Sequence, residues 1–436
     1  MTNPTIEALR RPIQGYLTDS WGMYENTGWI DEQLSWKTTC YIGDWSGMPK
    51  GRLTGPDALK LLSDTSVNTF ESFPVGRAKH IVQCDERGKI IGEGIAMPVG
   101  EQEYLLHSTP MWVAHHEVQT GRYDARHEPA DMFLFQVSGP TAIHAIEKVC
   151  GESVRDIKFM HFRNVTIAGH EVIALRQGMA GEVGFELQGP RAIAQEVYDA
   201  VWEAGQELGM RKLGGRTVMQ NHLEAYFPTG GKDYLPAVFT EEMSGWRDVI
   251  SQVFPMIFDV GFRVAGSYES DDVRDWYRSP VEFGWGKNIK FDHDFKGADA
   301  LRVELESPRR LPRTLVWNPE DLIDVYASFF RKEEQPYHFM EIPMEPHWYM
   351  WTDQVLAADG TLVGETTSRG YSYFFREMIS IATIAPSHAE IGTEVTVLWG
   401  NPGEPQKRVR AKVAPAPYKP DNRRADLTAL PATAAA

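Results

Sequence analysis

GMAGEVGFELQGPRAIAQEVYDAVW, residues 178–202, holds a strand, a tight turn and a helix in immediate succession. Val183, Phe185 and Leu187 share one face by the two-residue period of a strand, and Glu182, Glu186 and Gln188 share the other. The strand runs out at Gly189. Pro190 follows, where its fixed φ and missing N–H suit a helix start, and an amphipathic pattern continues to Trp202. Spacing alone assigns the two carboxylates to a solvated outer face.

The same punctuation recurs in LTGPDALKLLSD (53–64) and VSGPTAIHAIEKV (137–149). The recurrence is too irregular for a solenoid and predicts αβ units within related subdomains. Between the first two lies HIVQCDERGKIIGEGIAMPVGEQEYLLHS (80–108), two apolar strands around an Asp-Glu-Arg-Gly turn and a third after Gly100, a meander. From about residue 335 the texture changes to short strands with Gly and Pro turns, which predicts a separate antiparallel barrel or sandwich. The tail KPDNRRADLTALPATAAA (419–436) has the composition of a disordered end.

With 436 residues, 42% of them hydrophobic, 24% charged and 11% aromatic, the chain is globular and long enough for two or three cores. Its net charge of −16 argues against nucleic-acid and anionic-membrane partners, which need clustered positive charge. No signal peptide opens the chain and no run nears the roughly 18 apolar residues of a membrane span, so a cytoplasmic protein is expected. Cys40, Cys84 and Cys150 form no CxxC pair and are expected to be reduced thiols. P-loop, GxGxxG, GxSxG and HExxH fingerprints are missing, and His115-His116-Glu117 and Asp292-His293-Asp294 cannot converge on one ion from a strand, so no metal is expected.

Four stretches in order, IGDWSGMPKGRLTGPDALKLL (42–62), GMAGEVGFELQGP, GGRTVMQNHLEAYFPTGGKDY (214–234) and SPVEFGWGKNIKFDHDFKGADAL (279–301), resemble the folate-binding aminomethyltransferases of the glycine cleavage T-protein superfamily. The resemblance implies an α+β, three-domain clover-leaf: a folate-binding α/β domain (1–50 and 135–330), an inserted α/β domain (51–134) and a C-terminal antiparallel β-barrel (331–418), with 419–436 as tail. It implies tetrahydrofolate as cofactor and Glu186 as the carboxylate that holds the pterin, whose amino group and ring N–H an ionised carboxylate accepts together. Arg216 matches the family arginine near the folate, and Met179 stands where members often carry Tyr. Glu182 has no matching role and reads as a solvated or turn residue.

The largest departure is GKIIGEGI (88–95), where aminomethyltransferases carry Gly-Gly-x-Ile-Asp-Asp-Leu. Gly92 and Glu93 replace the acidic pair, and the flanking glycines suggest space cleared beside the pterin for a bulkier donor. CYIGDW, FPVGRAKH and NIKFDHDF are most similar to the tetrahydrofolate-dependent aromatic O-demethylases, which implies methyl transfer from a small aromatic methyl ether to N5 of tetrahydrofolate. The leaving phenoxide calls for a hydrogen-bond donor, and His80, Tyr234 and Tyr226 are the candidates. Arg77, Lys79, Arg122 and Arg247 are available for a substrate carboxylate. A sulfonium or amine donor, true aminomethyl transfer and a non-enzymatic folate-binding accessory role stay open, and oligomeric state is not legible.

Overall fold

The structure, a computed structural model, describes residues 3–11, 23–255 and 257–431. Three sheets organise it. The first has the strand order Arg211–Lys212, Tyr41–Asp44, Met132–Ser138, Gly184–Pro190, His170–Leu175, Phe162–Ile167. The second runs Lys79–Cys84, Ile90–Gly100, Glu103–His107, Lys50–Thr54, Arg126–Pro129. The third is a closed antiparallel barrel of Leu311–Trp317, Glu377–Ile384, Leu362–Ser372, Asp353–Leu356, Glu394–Trp399 and Lys407–Ala414. Closure leaves it no sheet edge to protect.

The first two sheets are copies of one plan. Lys50–Thr54 leads through Gly-Pro into helix Ala58–Thr65, then into the meander 79–107 and helix Pro110–Gln119. Met132–Ser138 leads through Gly-Pro into helix Ala142–Cys150, then into the meander 162–190 and helix Ala194–Gln206. In each copy the strand before Gly-Pro pairs antiparallel with the last strand of its own meander.

The turn explains why the motif repeats. Gly55 N–H donates to the Gln102 carbonyl and Asp57 N–H to that of Asp124, both at 3.1 Å. Gly139 N–H and Thr141 N–H donate in the same way to Val183 and Thr39, both at 3.0 Å. Both glycines have positive φ, +121° and +132°, and a Cβ would meet the Asp124 or Thr39 oxygen at 2.6 or 2.5 Å. Only glycine fits.

The expected boundaries move in three places. Residues 234–301, assigned to the first unit, bury Leu235, Phe239, Trp276 and Leu301 in one core with Leu61, Ile81 and Leu106 of the second. The barrel begins at Leu311, before residue 331. The expected tail is packed through residue 431: Lys419 and Leu427 are buried, and Arg155 donates to the carbonyls of Leu427, Leu430 and Pro431 at 3.0, 2.6 and 2.8 Å. Its polar composition concealed this because backbone carbonyls, which every sequence has, make most of the attachment. No helix of the described residues is long and apolar enough to cross a membrane.

Gly139→Ala is expected to cost about 2–4 kcal/mol of stability, since it adds a backbone collision to a strained φ. Gly169→Ala, also at positive φ but with nothing within 4 Å of the new Cβ, should cost only about 1 kcal/mol. Thermal unfolding of both variants checks this; equal losses would show that close approach does not select the glycine.

Candidate functional site

A cavity of about 890 Å³ opens between the two related sheets and is closed by the loops 227–236 and 284–290. At one pole stands Glu186. Its strand is buried on both faces: Val183, Phe185 and Leu187 enter the first core, while Glu186, only 5% exposed, faces the cavity. The solvated face expected from spacing is a wall of this cavity, because the second unit covers it.

Ladder register puts Gln136 opposite Glu186, with Gln136 Nε2 3.4 Å from Glu186 Oε1. The Tyr41 hydroxyl donates to Gln136 Oε1, and Asn221 Nδ2 donates to the Tyr41 oxygen at 3.0 Å. That chain turns the amide so that its NH₂ meets the carboxylate. Burial raises the Glu186 carboxyl from the ordinary 4.5 to about 7, against the Gln136 hydrogen bond and the Lys50 charge. Lys50 Nζ itself donates to the carbonyls of Ser46 and Met48 at 3.0 and 2.8 Å.

Around this pole Trp45 and His222 stack at 6.2 Å, and burial lowers His222 to about 4, so the ring is neutral. Its Nε2 and both ring nitrogens of His107 are buried without a hydrogen-bond partner while both residues line the cavity. Orphaned polar atoms beside a half-satisfied carboxylate are what a flat, polar-edged heterocycle such as a pterin completes. The residues therefore fit such a group, and Glu186 is a carboxylate that would accept from its donor edge.

At the other pole His80 Nε2 lies 2.8 Å from Glu93 Oε2, and the His80 ring meets Trp285 edge-on at 4.9 Å. Thr109 clips Glu93 in place, its hydroxyl accepting from the Glu93 N–H at 2.8 Å and donating to the Glu93 carbonyl at 3.2 Å. Tyr234, 1% exposed, lines the same space; burial holds its phenol well above the ordinary range and the Glu93 charge adds to the effect. It stays a proton donor at every physiological pH.

Four of the six residues expected from sequence, His80, Tyr234, Glu93 and Glu186, line this one cavity. Two do not. Tyr226 donates to the Ala382 carbonyl at 3.0 Å and packs with Leu223, Ile379 and Ile381 against the barrel. Arg216 pairs with Glu25, donates to the Ile342 carbonyl at 2.6 Å and lies over Tyr24 and Trp29, so it fastens the amino-terminal segment to the chain between the barrel strands Leu311–Trp317 and Asp353–Leu356. Tyr226 and Tyr234 flank a turn, and sequence cannot tell which ring the turn sends inward.

The glycines beside Glu93 clear no space for a donor. A Cβ on Gly94 would strike the His107 carbonyl at 2.1 Å, so the glycine admits the neighbouring turn instead. Of the candidate cations, Arg77 and Lys79 line the cavity, whereas Arg122 pairs with Glu117, and Arg247 donates to the Val238 and Thr240 carbonyls. Gln136, His222 and His107 are the site residues that sequence reasoning missed; only strand pairing singles out the first.

Residues 14–243 match the GCVT N-terminal domain and 339–419 the glycine cleavage T-protein C-terminal barrel domain. The chain belongs to the glycine cleavage T-protein family. It is 34% identical over 409 residues to the sesamin methylene transferase of Sinomonas sp. (strain No.22), covering 90% of this chain and 89% of that one. It is 32% identical over 420 residues to the syringate O-demethylase of Sphingobium sp. (strain NBRC 103272 / SYK-6), with the same coverage. An aminomethyltransferase of Bacillus cytotoxicus is 24% identical over 398 residues, covering 89% of each chain. The crystal structure of glycine cleavage system aminomethyltransferase T from Bartonella henselae shares the fold with a TM-score of 0.67 at 16% identity, over 95% of this chain and 96% of that one. The protein is a one-carbon transferase of this family, with tetrahydrofolate as its cofactor.

Burying Glu186 costs stability once it ionises. The unfolded carboxyl releases its proton near 4.5 and the folded one near 7, so stability falls as pH rises through that window and is constant above it. Ligand-free Glu186→Gln escapes that loss and is expected to be more stable than the parent by about 2–3 kcal/mol above pH 7, and by little near pH 4.5. Denaturant unfolding at both pH values checks it; a variant less stable at the higher pH would make Glu186 a structural residue.

Proposed function

We propose that this protein demethylates a methoxylated aromatic acid, moving the methyl group from the aryl ether oxygen to N5 of tetrahydrofolate and leaving a phenol. The observation that carries the proposal is the joining of Glu186 and the Glu93, His80 and Tyr234 cluster by one cavity with aromatic walls. Tetrahydrofolate supplies the nitrogen that accepts the one-carbon unit. Everything else falls to the chain's own residues.

Displacement at a methyl carbon needs nucleophile, carbon and leaving oxygen nearly in line, so the first task is to position two flat molecules. Glu186 orients the pterin from one pole, and Trp285, Phe262 and Trp112 wall the space for an aromatic donor at the other. The second task is charge. Tyr234 keeps its proton because burial forbids the phenolate, and it donates to the ether oxygen as charge develops there. In net terms the attacking N–H gives up one proton and the phenol oxygen takes one; the His80–Glu93 pair, 2.8 Å apart, is placed to carry it. Arg77 and Lys79 are the cations for a substrate carboxylate.

The 34% identity to a sesamin methylene transferase favours one second reading, a methylenedioxy-bridged donor on the same platform. The two differ in product. With tetrahydrofolate under anaerobic conditions, a methoxybenzoate should yield phenol and 5-methyltetrahydrofolate in equal amounts without NAD(P)H, whereas a methylenedioxy donor would yield a catechol and a folate at the methylene level. If neither donor reacts but a glycine-derived aminomethyl group or a sulfonium does, the aryl-ether assignment fails.

Tyr234→Phe should lower kcat about 100-fold or more with tetrahydrofolate affinity unchanged, and loss of affinity instead would make Tyr234 a wall residue. Because Glu186 accepts both pterin donors only when ionised, affinity should fall about tenfold per pH unit below about 7, and a flat profile would remove it from pterin binding.

A further inference from the structure

Spacing alone makes Glu182 a solvated residue, yet it is 9% exposed and anchors the chain's last described segment. Lys419 pairs with Glu182 Oε1, and Asn422 Nδ2 donates to both Glu182 oxygens at 3.1 and 3.0 Å. The backbone is held as well: Asn422 N–H donates to the Gly181 carbonyl at 2.8 Å, and Arg176 donates to the Arg423 carbonyl at 3.0 Å and to that of Ala425. Leu427 closes the attachment in the first core.

With the backbone tied down, two guanidinium groups are left at the cavity wall. Arg423 lies 4.5 Å from the Phe227 ring centre and is bonded by Asp421. Arg424 lies 4.5 Å from that of Phe159, and its charge also acts on the Asp421 carboxylate. Both line the cavity, and both lie beyond residue 419, where the match to the family's barrel domain ends.

We infer that 419–431 is a strap, fastened by Glu182, that presents Arg423 and Arg424 to the carboxylates of a folate's glutamyl tail. The inference rests on the folate reading of Glu186. Gly181 and Glu182, which hold the strap, directly precede the strand of Glu186, and this side of the cavity also meets the second unit, where Ala78 donates to the Met160 carbonyl beside Phe159. A pterin held by Glu186 has the strap on the side of its own strand, and the inference assigns its tail to the two arginines. Guanidinium groups backed by aromatic faces suit carboxylates that stay partly hydrated at a cavity mouth.

The test is calorimetric titration of the full chain with three probes: a tail-less tetrahydropterin, tetrahydrofolate monoglutamate and its pentaglutamate. The double variant Arg423→Ala with Arg424→Ala should lose about tenfold in affinity for pentaglutamate, less for monoglutamate and nothing for the tetrahydropterin. Its pentaglutamate affinity should also respond less to salt than the parent's. Glu182→Gln, which frees the strap, should repeat that pattern. Equal losses on all three probes, no loss on any, or a rise confined to KM for the aromatic acid would each overturn the strap's role while Glu186→Gln still weakens every probe. If the parent binds none of the three, the folate reading falls first and the inference with it.

Discussion

Glu365, on a barrel strand and 1% exposed, accepts from both Arg278 and Arg310, and Arg310 also reaches Glu282 at 3.5 Å, which Lys89 meets at 2.9 Å. This buried chain of charges passes from the barrel through the segment 278–310 to the turn that opens the strand of Glu93. Burial alone would lift Glu282, but Lys89, Arg278 and Arg310 outweigh it and hold the carboxyl down to about 2. Such a network adds little net stability over an apolar core, but losing one partner strands the others, at about 3–5 kcal/mol. What it secures is placement. A packing of barrel against second unit that separated these partners would bury an unpaired charge.

That placement matters because the cavity has no single owner. Glu186 and Gln136 belong to the first sheet, Glu93 and His80 to the second, and Tyr234 and Trp285 to the connecting chain that packs on the second. Duplication of a plain strand–turn–helix unit thus yields what neither copy holds, two polar poles facing each other across an apolar space. The site is also where the fold gives up stability: a carboxylate lifted to about 7 and orphaned imidazole nitrogens carry a cost that a ligand completing them would offset.

The same economy of parts appears on the strand that carries Glu186. One face enters the first core. The other, with the turn before it, divides between the two carboxylates: Glu186 faces the cavity and Glu182 holds the carboxy-terminal segment against the same unit. Glu182, which matches no family role, is therefore tied to its partners as firmly as Glu186 is to Gln136.

The sequence by itself determined two of the three Gly-Pro turns, the meander and the barrel's texture, and it named Glu186, Glu93, His80 and Tyr234, which line one cavity; the third Gly-Pro, Gly189-Pro190, stays in the strand ladder opposite Phe133 and Met132. These are legible because turn chemistry and strand alternation are local, and because a family motif carries its spacing with it. The tertiary structure alone decided that Tyr234 enters the cavity while Tyr226 packs on the barrel, that Arg216 pairs with Glu25 and is not part of the cavity wall, that Gly94 admits a turn rather than a donor, and that Lys419 finds Glu182. It also moved 234–301 onto the second unit. The reason is physical: each of these outcomes depends on which distant backbone arrives beside a side chain. Arg216 and Ile342, or Glu182 and Lys419, meet only after three separate cores have formed, and no periodicity within either segment encodes the partner.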